Sequence, residues 1–396
     1  MSELISKIKA LSEEYFEEIR SIRRHLHANP ELSFEEENTA TFIEKKLLEF
    51  GINNVERVAK TGVSFCLNGR ESGKTIALRA DIDALPIQEA NEVSYRSKNE
   101  GIMHACGHDV HTSNLLGVAK ILNELKNEWT GTIKFIFQPA EEKSPGGASI
   151  LINEGILENP RPASILGQHV MPLIDAGKVG FRKGKYMASA DEVYLTVKGK
   201  GGHAAMPENF IDPIAIASQI IVALQQIVSR FANPKMPTVL SFGKIEGGNA
   251  TNVIPDVVKI EGTFRTFDEV WRAEALDKIK AIATSIAESM GGSCEVTYAA
   301  GYPFLVNEEA YTERNIRAAK EYLGDENVEE LDLWMAAEDF ASYSHHVDAC
   351  FYRLGTRNDE KGIISGVHTP TFDIDESSLK IGMGLMAYLA VNELTQ

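Results

Sequence analysis

The sequence lacks three features: a long uninterrupted apolar run, an excess of basic residues and a paired arrangement of cysteines. None of its apolar stretches approaches the roughly 20 residues that a membrane-spanning helix needs, and 24% of its 396 residues are charged. We therefore expect a soluble globular protein with no membrane partner. The N-terminal segment carries charges throughout, where a secretory signal needs a continuous apolar core. It predicts an exposed amphipathic helix instead.

Acidic residues outnumber basic ones. The chain has 57 Asp plus Glu against 40 Lys plus Arg, a formal net charge of -17, and such a charge argues against a nucleic-acid partner. The four cysteines, Cys66, Cys106, Cys294 and Cys350, are scattered without the spacing of a disulfide framework. This usage predicts a reducing compartment, the cytoplasm, and we interpret all of them except Cys106 as buried thiols.

Strand-like and helix-like segments alternate through the first half of the chain. Examples are TIALRADIDALP, SNLLGVAKILNEL and TIKFIFQPAEE, an order that favours an α/β architecture. The middle of the chain instead reads β-α-β-β-α-β, the pattern of a ferredoxin-like α+β unit. We predict an inserted second domain at residues 187–300, between the two parts, 1–186 and 301–396, of a discontinuous first domain.

Possible metal ligands cluster in four short motifs. MHACGHDVHT contains Cys106 and His108, and FQPAEE ends an apolar strand with Glu141 and Glu142. Taken singly, each motif has a simpler interpretation, such as a chance Cys-X-His pair, solvated acids or a surface histidine. Taken together they exceed what one tetrahedral ion binds and suffice for two ions that share one bridging ligand. The candidate ligands are Cys106, His108, Glu142, His169 and His368.

A longer set of motifs resembles the M20-type metallopeptidases. The set is RRHLHANPELSFEE, RADIDALP, MHACGHDVHT, QPAEE, GQHVMP, GKGGHAAMP, GGNATNVIP, GTFRT, EDF and VHTPTFDIDE. In this order the motifs are most similar to those of the aminoacylase, hippurate hydrolase and indole-acetyl-amino-acid hydrolase branch, and they extend over nearly the whole chain. The resemblance implies a zinc-peptidase-like catalytic domain, formed by 1–186 and 301–396, and a ferredoxin-like lid that forms a homodimer.

The resemblance also implies roles for the ligand candidates. It makes Cys106 the bridge between two ions, with His108 and His169 on one side and Glu142 and His368 on the other. Asp83 is expected to orient a metal ligand by contacting that ligand rather than the ion, although an acid near Pro86 is also typical of a turn.

One departure from the wider family concerns the bridge. Broader members have a histidine where this chain has Asp81, and they bridge the ions with a carboxylate. Cys106 and His108 resemble the metal ligands that this branch uses instead. A thiolate is a softer ligand, so zinc, manganese and cobalt all stay open as the two divalent ions.

Catalytic and substrate-binding roles follow from the same resemblance. Glu141 is expected to be the base that activates the attacking water, and His203 to stabilise the oxyanion, in its own chain or across a dimer. Asn252 and Arg265 are expected to hold the amide and carboxylate of the substrate. The alternatives are a turn histidine at 203 and an ion pair between Arg265 and Glu261.

The predicted activity is metal-dependent hydrolysis of the amide bond of N-acyl amino acids, which releases a carboxylic acid and a free amino acid. The alternatives are a di-metal dipeptidase, an N-acetyl-diaminopimelate-type deacetylase and a catalytically silent binding homologue. Glu141 and the complete ligand set argue against the silent homologue. The acyl group stays open, because pocket shape depends on residues outside every motif.

Overall fold

The computed structural model describes residues 2–395, which divide into two compact units. The first unit holds the chain up to Tyr186, then Val306–Leu333, and again the chain from Asp339 onward; the second holds Met187–Leu305 and Trp334–Glu338. The second unit thus starts where the predicted insert, 187–300, starts, and it also includes five further residues and a short returning segment. The catalytic and lid roles of these units stay predictions.

The secondary structure follows the predicted alternation. The strands are β1 (Glu56–Val58), β2 (Gly62–Asn68), β3 (Thr75–Asp81), β4 (Thr132–Gln138), β5 (Ser164–Asp175), β6 (Val179–Phe181), β7 (Gly184–Met187), β8 (Asp191–Lys198), β9 (Gly202–His203), β10 (Val239–Glu246), β11 (Val253–Ile254), β12 (Val257–Arg265), β13 (Ser293–Ala300), β14 (Leu305–Asn307), β15 (Val328–Glu330) and β16 (Asp348–Arg357). The helices are α1 (Ser2–Glu14), α2 (Phe16–Ala28), α3 (Glu37–Glu49), α4 (His108–Glu124), α5 (Gly147–Asn153), α6 (Pro213–Leu224), α7 (Glu269–Ser289), α8 (Glu309–Leu323), α9 (Ala341–Ser344) and α10 (Ser378–Leu394).

The first unit is built on an eight-stranded mixed sheet in the order β1-β2-β4-β3-β5-β16-β6-β15. Its central strands β3, β4 and β5 run parallel and are almost wholly buried, as their apolar sequences require. Leu78, Phe135 and Leu166 share one core with Leu115 and Leu122 of α4. Because these strands are parallel, their carboxyl ends meet at one edge of the sheet, where Asp83 follows β3 and Glu141 follows β4.

The prediction of one exposed N-terminal helix is wrong. The segment forms two helices, α1 and α2, and one face of α2 is buried through Ile19, Ile22 and Leu26. Arg23 and His27 lie on the same buried side. Charged side chains are tolerated there because both contact the carboxylate of Asp109 at 2.8 Å.

The second unit contains a four-stranded antiparallel sheet in the order β10-β12-β8-β13. Helices α6 and α7 connect its strands, so the predicted β-α-β-β-α-β order is confirmed. The predicted helix start is also confirmed, because Asp212 caps α6 by accepting hydrogen bonds from the backbone N–H groups of Ile214 and Ala215. The predicted helix is interrupted after Leu224, and a π-helical turn, Ile227–Phe231, follows.

Of the three cysteines interpreted as buried thiols, two are buried. Cys294 and Cys350 are 8% and 0% exposed, but Cys66 is only half-buried. The reason is the short edge strand β1, which pairs with β2 only up to Ser64 and leaves Cys66 beyond its end. Burial raises the pKa of the Cys66 thiol, so it is protonated at neutral pH.

Candidate metal centre

Cys106 and His108 lie on either side of a turn that only glycine suits. His108 is the first residue of α4, and Gly107 before it has φ +84°. A Cβ atom at Gly107 would stand 2.6 Å from Val170 Cγ2. The left-handed conformation and the close approach together bring the thiol and the imidazole to the same end of the helix.

Glu141 and Glu142 follow β4 at the carboxyl edge of the sheet. The residue before them, Ala140, has φ +52°, and its N–H donates to Glu36 Oε1 at 2.8 Å. The buried Glu36 also accepts a hydrogen bond from Thr61 Oγ1 at 2.7 Å. This buried carboxylate therefore stabilises an unfavourable backbone conformation next to the two acids.

The two remaining histidines present Nε2 to the site. His169 lies in β5, and its Nδ1 donates to the carbonyl oxygen of Val170 at 2.7 Å, which leaves the lone pair on Nε2. His368 lies in an irregular segment with φ +60°, and its N–H donates to the Ala105 carbonyl at 2.7 Å. The side chain of His368 is 51% exposed, whereas that of His108 is fully buried.

The predicted ligands form two groups that share Cys106. Its Sγ lies 3.4 Å from His169 Nε2 and 3.3 Å from His368 Nε2. Ligand atoms of Cys106, His108 and His169 lie within 4.8 Å of one another, and so do those of Cys106, Glu142 and His368. Glu142 Oε1 lies 3.2 Å from His368 Nε2 and 3.9 Å from His108 Nε2. A shared sulfur between two groups is the arrangement expected of a bridging ligand.

Unsatisfied polar atoms show that the centre fits cations. Within residues 2–395, the buried atoms His108 Nε2 and Glu142 Oε1 make no hydrogen bond, although Glu142 Oε1 lies within ion-pair distance of His368 Nε2. Burial and the nearby carboxylates of Glu142 and Glu141 hold the pKa of Cys106 well above its usual range. A thiolate with adjacent carboxylates in a buried place needs compensating positive charge. The donor set of thiolate, imidazole and carboxylate fits two divalent ions.

The histidine pKa values agree with this charge distribution. Burial lowers the pKa of His169 well below its usual value, and nearby Arg353 lowers it further, so its imidazole is neutral and able to bind a metal. Burial would also lower the pKa of His108, but Asp81 and Asp83 outweigh it and raise this pKa to about 10. The carboxylates around His108 thus favour a positive charge at this position, which a bound metal ion also provides.

Asp83 contacts both His108 and Glu142. Its Oδ1 accepts from His108 Nδ1 at 3.1 Å, while its Oδ2 accepts from the Glu142 N–H at 3.0 Å and from Ser33 Oγ at 2.6 Å. Burial would raise the pKa of Asp83, but the hydrogen bond from His108 and the charge of that histidine lower it. An ionised Asp83 is therefore placed to direct His108 Nε2 toward the metal centre.

In a further group, the ligand atoms of Asp81, His108 and His111 also lie within 4.8 Å of one another. The ligand atoms of Asp81 and His111 in this group are already engaged in hydrogen bonds. His111 Nδ1 contacts Asp81 Oδ1 at 2.5 Å, and His111 Nε2 accepts from the Val170 N–H at 2.8 Å. The other oxygen, Asp81 Oδ2, accepts from Arg79 Nη1 at 2.7 Å. We therefore assign no metal to this group.

Asp339 was given no role in the sequence analysis, although its EDF motif is one of those that resemble the M20 family. The N–H of Asp339 donates to Glu141 Oε1 at 3.4 Å. Its carboxylate accepts from Arg79 Nη2 at 2.7 Å and from Gln138 Nε2 at 2.8 Å. All four residues are buried. Sequence spacing gave no sign of this contact, because Asp339 and Glu141 are 198 residues apart.

The other predicted site residues lie in the second unit. His203 is exposed on β9, which pairs with β11, and the Ala204 N–H donates to the Asn252 carbonyl at 3.1 Å. This pairing brings His203 and the exposed Asn252 into one short ribbon. Arg265, at the end of β12, is half-buried, and its Nη1 donates to the Met335 carbonyl at 2.9 Å. The alternative partner, Glu261, instead binds Lys244 at 2.9 Å.

Comparison with known proteins gives consistent matches. The chain is 44% identical over 358 residues to the N-acetyl-L-cysteine deacetylase of Bacillus subtilis, covering 90% of this chain and 84% of the relative. It is 44% identical over 301 residues to the N-acyl-L-amino acid amidohydrolase of Geobacillus stearothermophilus, covering 76% and 81%.

A solved structure and a family profile both point to the M20 family. The YXEP protein of Bacillus subtilis, a dinuclear metal-binding peptidase of the M20 family, superposes with a TM-score of 0.82 at 35% identity, covering 97% of this chain and 99% of that one. The profile of Peptidase family M20/M25/M40 matches residues 77–392. The predicted M20 membership is confirmed, and this chain belongs to that family.

Proposed function

We propose that this protein is a metal-dependent amidohydrolase that cleaves N-acyl amino acids into a carboxylic acid and a free amino acid. The observation that carries the proposal is the pair of donor groups that share the Cys106 sulfur beside the buried Glu141. The names of two similar proteins, an N-acetyl-L-cysteine deacetylase and an N-acyl-L-amino acid amidohydrolase, support the same substrate class.

We assign the ligands from the two donor groups. Cys106 bridges, His108 and His169 complete one side, and Glu142 and His368 complete the other. Asp83 orients His108 through the Nδ1 contact and holds the backbone of Glu142. Zinc, manganese and cobalt all suit such a mixed donor set, and we propose that the native ions are among these three.

The bound ions would lower the pKa of a coordinated water and polarise the amide carbonyl of the substrate. Glu141 supplies the proton transfers. Its carboxylate accepts the proton of the attacking water and then delivers it to the nitrogen of the departing amine, so one side chain acts first as base and then as acid. The Asp339 N–H at 3.4 Å holds Oε1 of Glu141 in a fixed direction for both steps.

We assign substrate recognition to the second unit. His203 is the proposed donor to the oxyanion, Asn252 the donor to the amide, and Arg265 the partner of the substrate carboxylate. Burial lowers the pKa of Arg265, but a guanidinium stays protonated at any physiological pH. The exposure of His203 and Asn252 suits groups that meet a ligand.

We further propose a homodimer through the second unit. Among the described residues, Pro213–Phe231 is the one helical segment long and apolar enough to span a membrane by composition, yet only 28% of its most apolar stretch is buried. Val222 is 68% exposed and Phe231 47%. A second copy covering this surface would explain the exposure.

The four free cysteines support a cytoplasmic location.

The proposal is tested with metal-stripped protein and a set of substrates. Zinc, manganese and cobalt are added back one at a time, and release of free amino acid is measured from acetyl, benzoyl and longer acyl derivatives, from dipeptides and from N-acetyl-diaminopimelate. We expect metal-dependent turnover of at least one N-acyl amino acid. Turnover of dipeptides alone would assign a dipeptidase, and turnover of N-acetyl-diaminopimelate alone would assign that deacetylase. Two bound ions without turnover of any substrate would indicate a silent homologue.

A further inference from the structure

Arg23 of α2 is a fully buried cation that sequence reasoning left without a role. Its Nε donates to Asp109 Oδ2 at 2.8 Å, and its Nη2 donates to Asp373 Oδ1 at 2.8 Å. The two carboxylates lie 86 and 350 residues from it along the chain. One rigid guanidinium therefore joins three segments that are distant in the sequence.

Both carboxylates belong to segments that carry predicted metal ligands. Asp109 follows His108 in the first turn of α4. Asp373 lies in residues 366–376, which we call the His368 segment and which contain turns and irregular structure only. Arg23 thus connects the turn that carries a ligand of one ion to the segment that carries a ligand of the other.

The two attachments differ in what else holds them. Asp109 is part of a 17-residue helix with a buried first turn, and it also contacts His27 Nδ1 at 2.8 Å. The His368 segment has no helix or strand of its own and is held by separate contacts, which include side-chain hydrogen bonds to Phe372, Asp375 and Glu376. Tyr95 Oη donates to Asp373 Oδ2 at 2.7 Å, and backbone hydrogen bonds attach His368 to Ala105 at 2.7 Å and Pro370 to Ala90 at 2.8 Å.

Burial of this cation is costly unless its geometry is well satisfied, and apolar residues of similar volume often stabilise a protein as well or better. Packing alone would favour an apolar side chain at position 23. This position instead holds a guanidinium that contacts two carboxylates. Lysine could not replace it, because an ammonium lacks the planar fork that reaches both carboxylates at once.

We propose that Arg23 is a positioning residue that sets the distance between the His108 turn and the His368 segment, and thereby the affinity of the ion held by Cys106, Glu142 and His368. The inference rests on the ligand assignment of the proposed function. Since no helix or strand fixes the backbone of the His368 segment, whereas α4 fixes that of Asp109, loss of Arg23 should affect the His368 side more than the His108 side. Partners behind metal ligands typically contribute about 10- to 100-fold in metal affinity.

The test measures binding of Zn²⁺ to metal-free protein by calorimetric titration, with ions per chain counted after dialysis. Arg23→Gln is expected to keep one ion at unchanged affinity and to weaken the other by about 10- to 100-fold. Tyr95→Phe removes only one hydroxyl from Asp373 and covers the case in which Arg23→Gln does not fold; it should weaken the same ion to a smaller degree. Arg20→Gln is the matched control, because Arg20 lies on the same helix and pairs only with Glu17 in the described structure.

Combined variants identify which ion is affected. Added to His169→Ala, the Arg23→Gln change should weaken binding of the remaining ion by the same factor of about 10- to 100-fold, whereas added to His368→Ala it should change nothing further. Equal weakening of both ions, or two ions at wild-type affinity in a folded Arg23→Gln protein, would overturn the inference. If His368→Ala itself keeps both ions, the ligand assignment is wrong. If His368→Ala loses one ion and Arg23→Gln binds both ions at wild-type affinity, the positioning role alone is wrong.

Discussion

Cys106 is the residue on which both halves of the proposed metal centre would depend. Its sulfur belongs to both donor groups, and its thiol is buried among carboxylates that raise its pKa. The thiolate is therefore stabilised only when cations are present, so ion binding and deprotonation of Cys106 are coupled. Every other proposed ligand serves one ion.

This difference predicts unequal metal losses. Cys106→Ala should lose tight binding of both ions, whereas His169→Ala should mainly lose one, as measured by elemental analysis after dialysis. Cys350→Ala is the control, since this buried cysteine lies in β16 and belongs to none of the donor groups. A Cys106→Ala protein with two tightly bound ions and normal turnover would remove the bridge from the assignment.

The adjacent acids predict a second contrast. Glu141→Gln should keep the fold and both ions but lower kcat by about 100- to 10,000-fold, because the base is lost while the ligands remain. Glu142→Gln should instead weaken the ion on the His368 side. Steady-state kinetics combined with metal counting separates the two effects. Equal metal loss in both variants would show that base and ligand are wrongly assigned.

At this scale the sequence indicates candidate side chains but not the residues that they contact. The five ligand candidates and Glu141 stand out because each follows an apolar segment or lies in a motif of unusual composition. Asp339 and Arg23 do not stand out, because their roles depend on contacts with residues 198 and 86 positions away. Periodicity and spacing carry no signal for such pairings.

Among the local elements, the turn into α4 is tightly constrained. Gly107 separates two ligands, has φ +84°, and has Val170 Cγ2 only 2.6 Å from where a Cβ would stand. Gly101 is a matched comparison, because it has a similar φ of +76° but no atom within 4 Å of its Cβ position. Alanine substitutions at the two glycines therefore distinguish the effect of backbone strain from the effect of a steric clash.

We expect Gly101→Ala to lower the free energy of unfolding by about 1 kcal/mol or more through backbone strain, while both ions stay bound. Gly107→Ala should in addition displace Cys106 and His108. This variant should therefore lose bound metal as well as stability. Chemical unfolding of the metal-free proteins and metal counting test this. If Gly107→Ala binds two ions as wild type does, the turn does not determine the ligand geometry.

Regular elements were predicted best where tertiary contacts agree with local pattern. Strands β3 and β4 are apolar runs inside a parallel sheet, and the Asp212–Pro213 pair marks the start of α6 in the sequence. The N-terminal helices were predicted wrongly, because burial of Arg23 depends on carboxylates supplied by distant segments. The positive φ of His368 was not predicted either, since histidine rarely adopts it without a fixed surrounding.

At the scale of the whole molecule, the proposed chemistry is divided between the units. All proposed metal ligands, Glu141 and Asp83 belong to the first unit, whereas His203, Asn252 and Arg265 belong to the second. The second unit has its own core, with Val193, Ile220 and Ile260 fully buried. Its proposed residues can act only if this unit meets an active site, in the same chain or in a partner.

The proposed dimer makes this question testable with two inactive variants. Losing an oxyanion donor typically costs about 100- to 1,000-fold in turnover, so His203→Ala should lower kcat at unchanged metal content. Mixed with Glu141→Gln subunits, it should regain activity if each site takes its histidine from the partner. One site of a mixed dimer then has both groups, and with random exchange of equal amounts the activity should reach about a quarter of wild type.

Mass spectrometry of the mixture verifies subunit exchange, and mixing each variant with itself is the control. If His203 acts within its own chain, every site in the mixed dimer lacks one of the two groups, and activity should stay at the level of the separate variants. Verified exchange without recovered activity would therefore exclude a shared site and leave His203 to its own chain. Recovery would make the dimer the catalytic unit, because the metal centre and the oxyanion donor would then come from different chains.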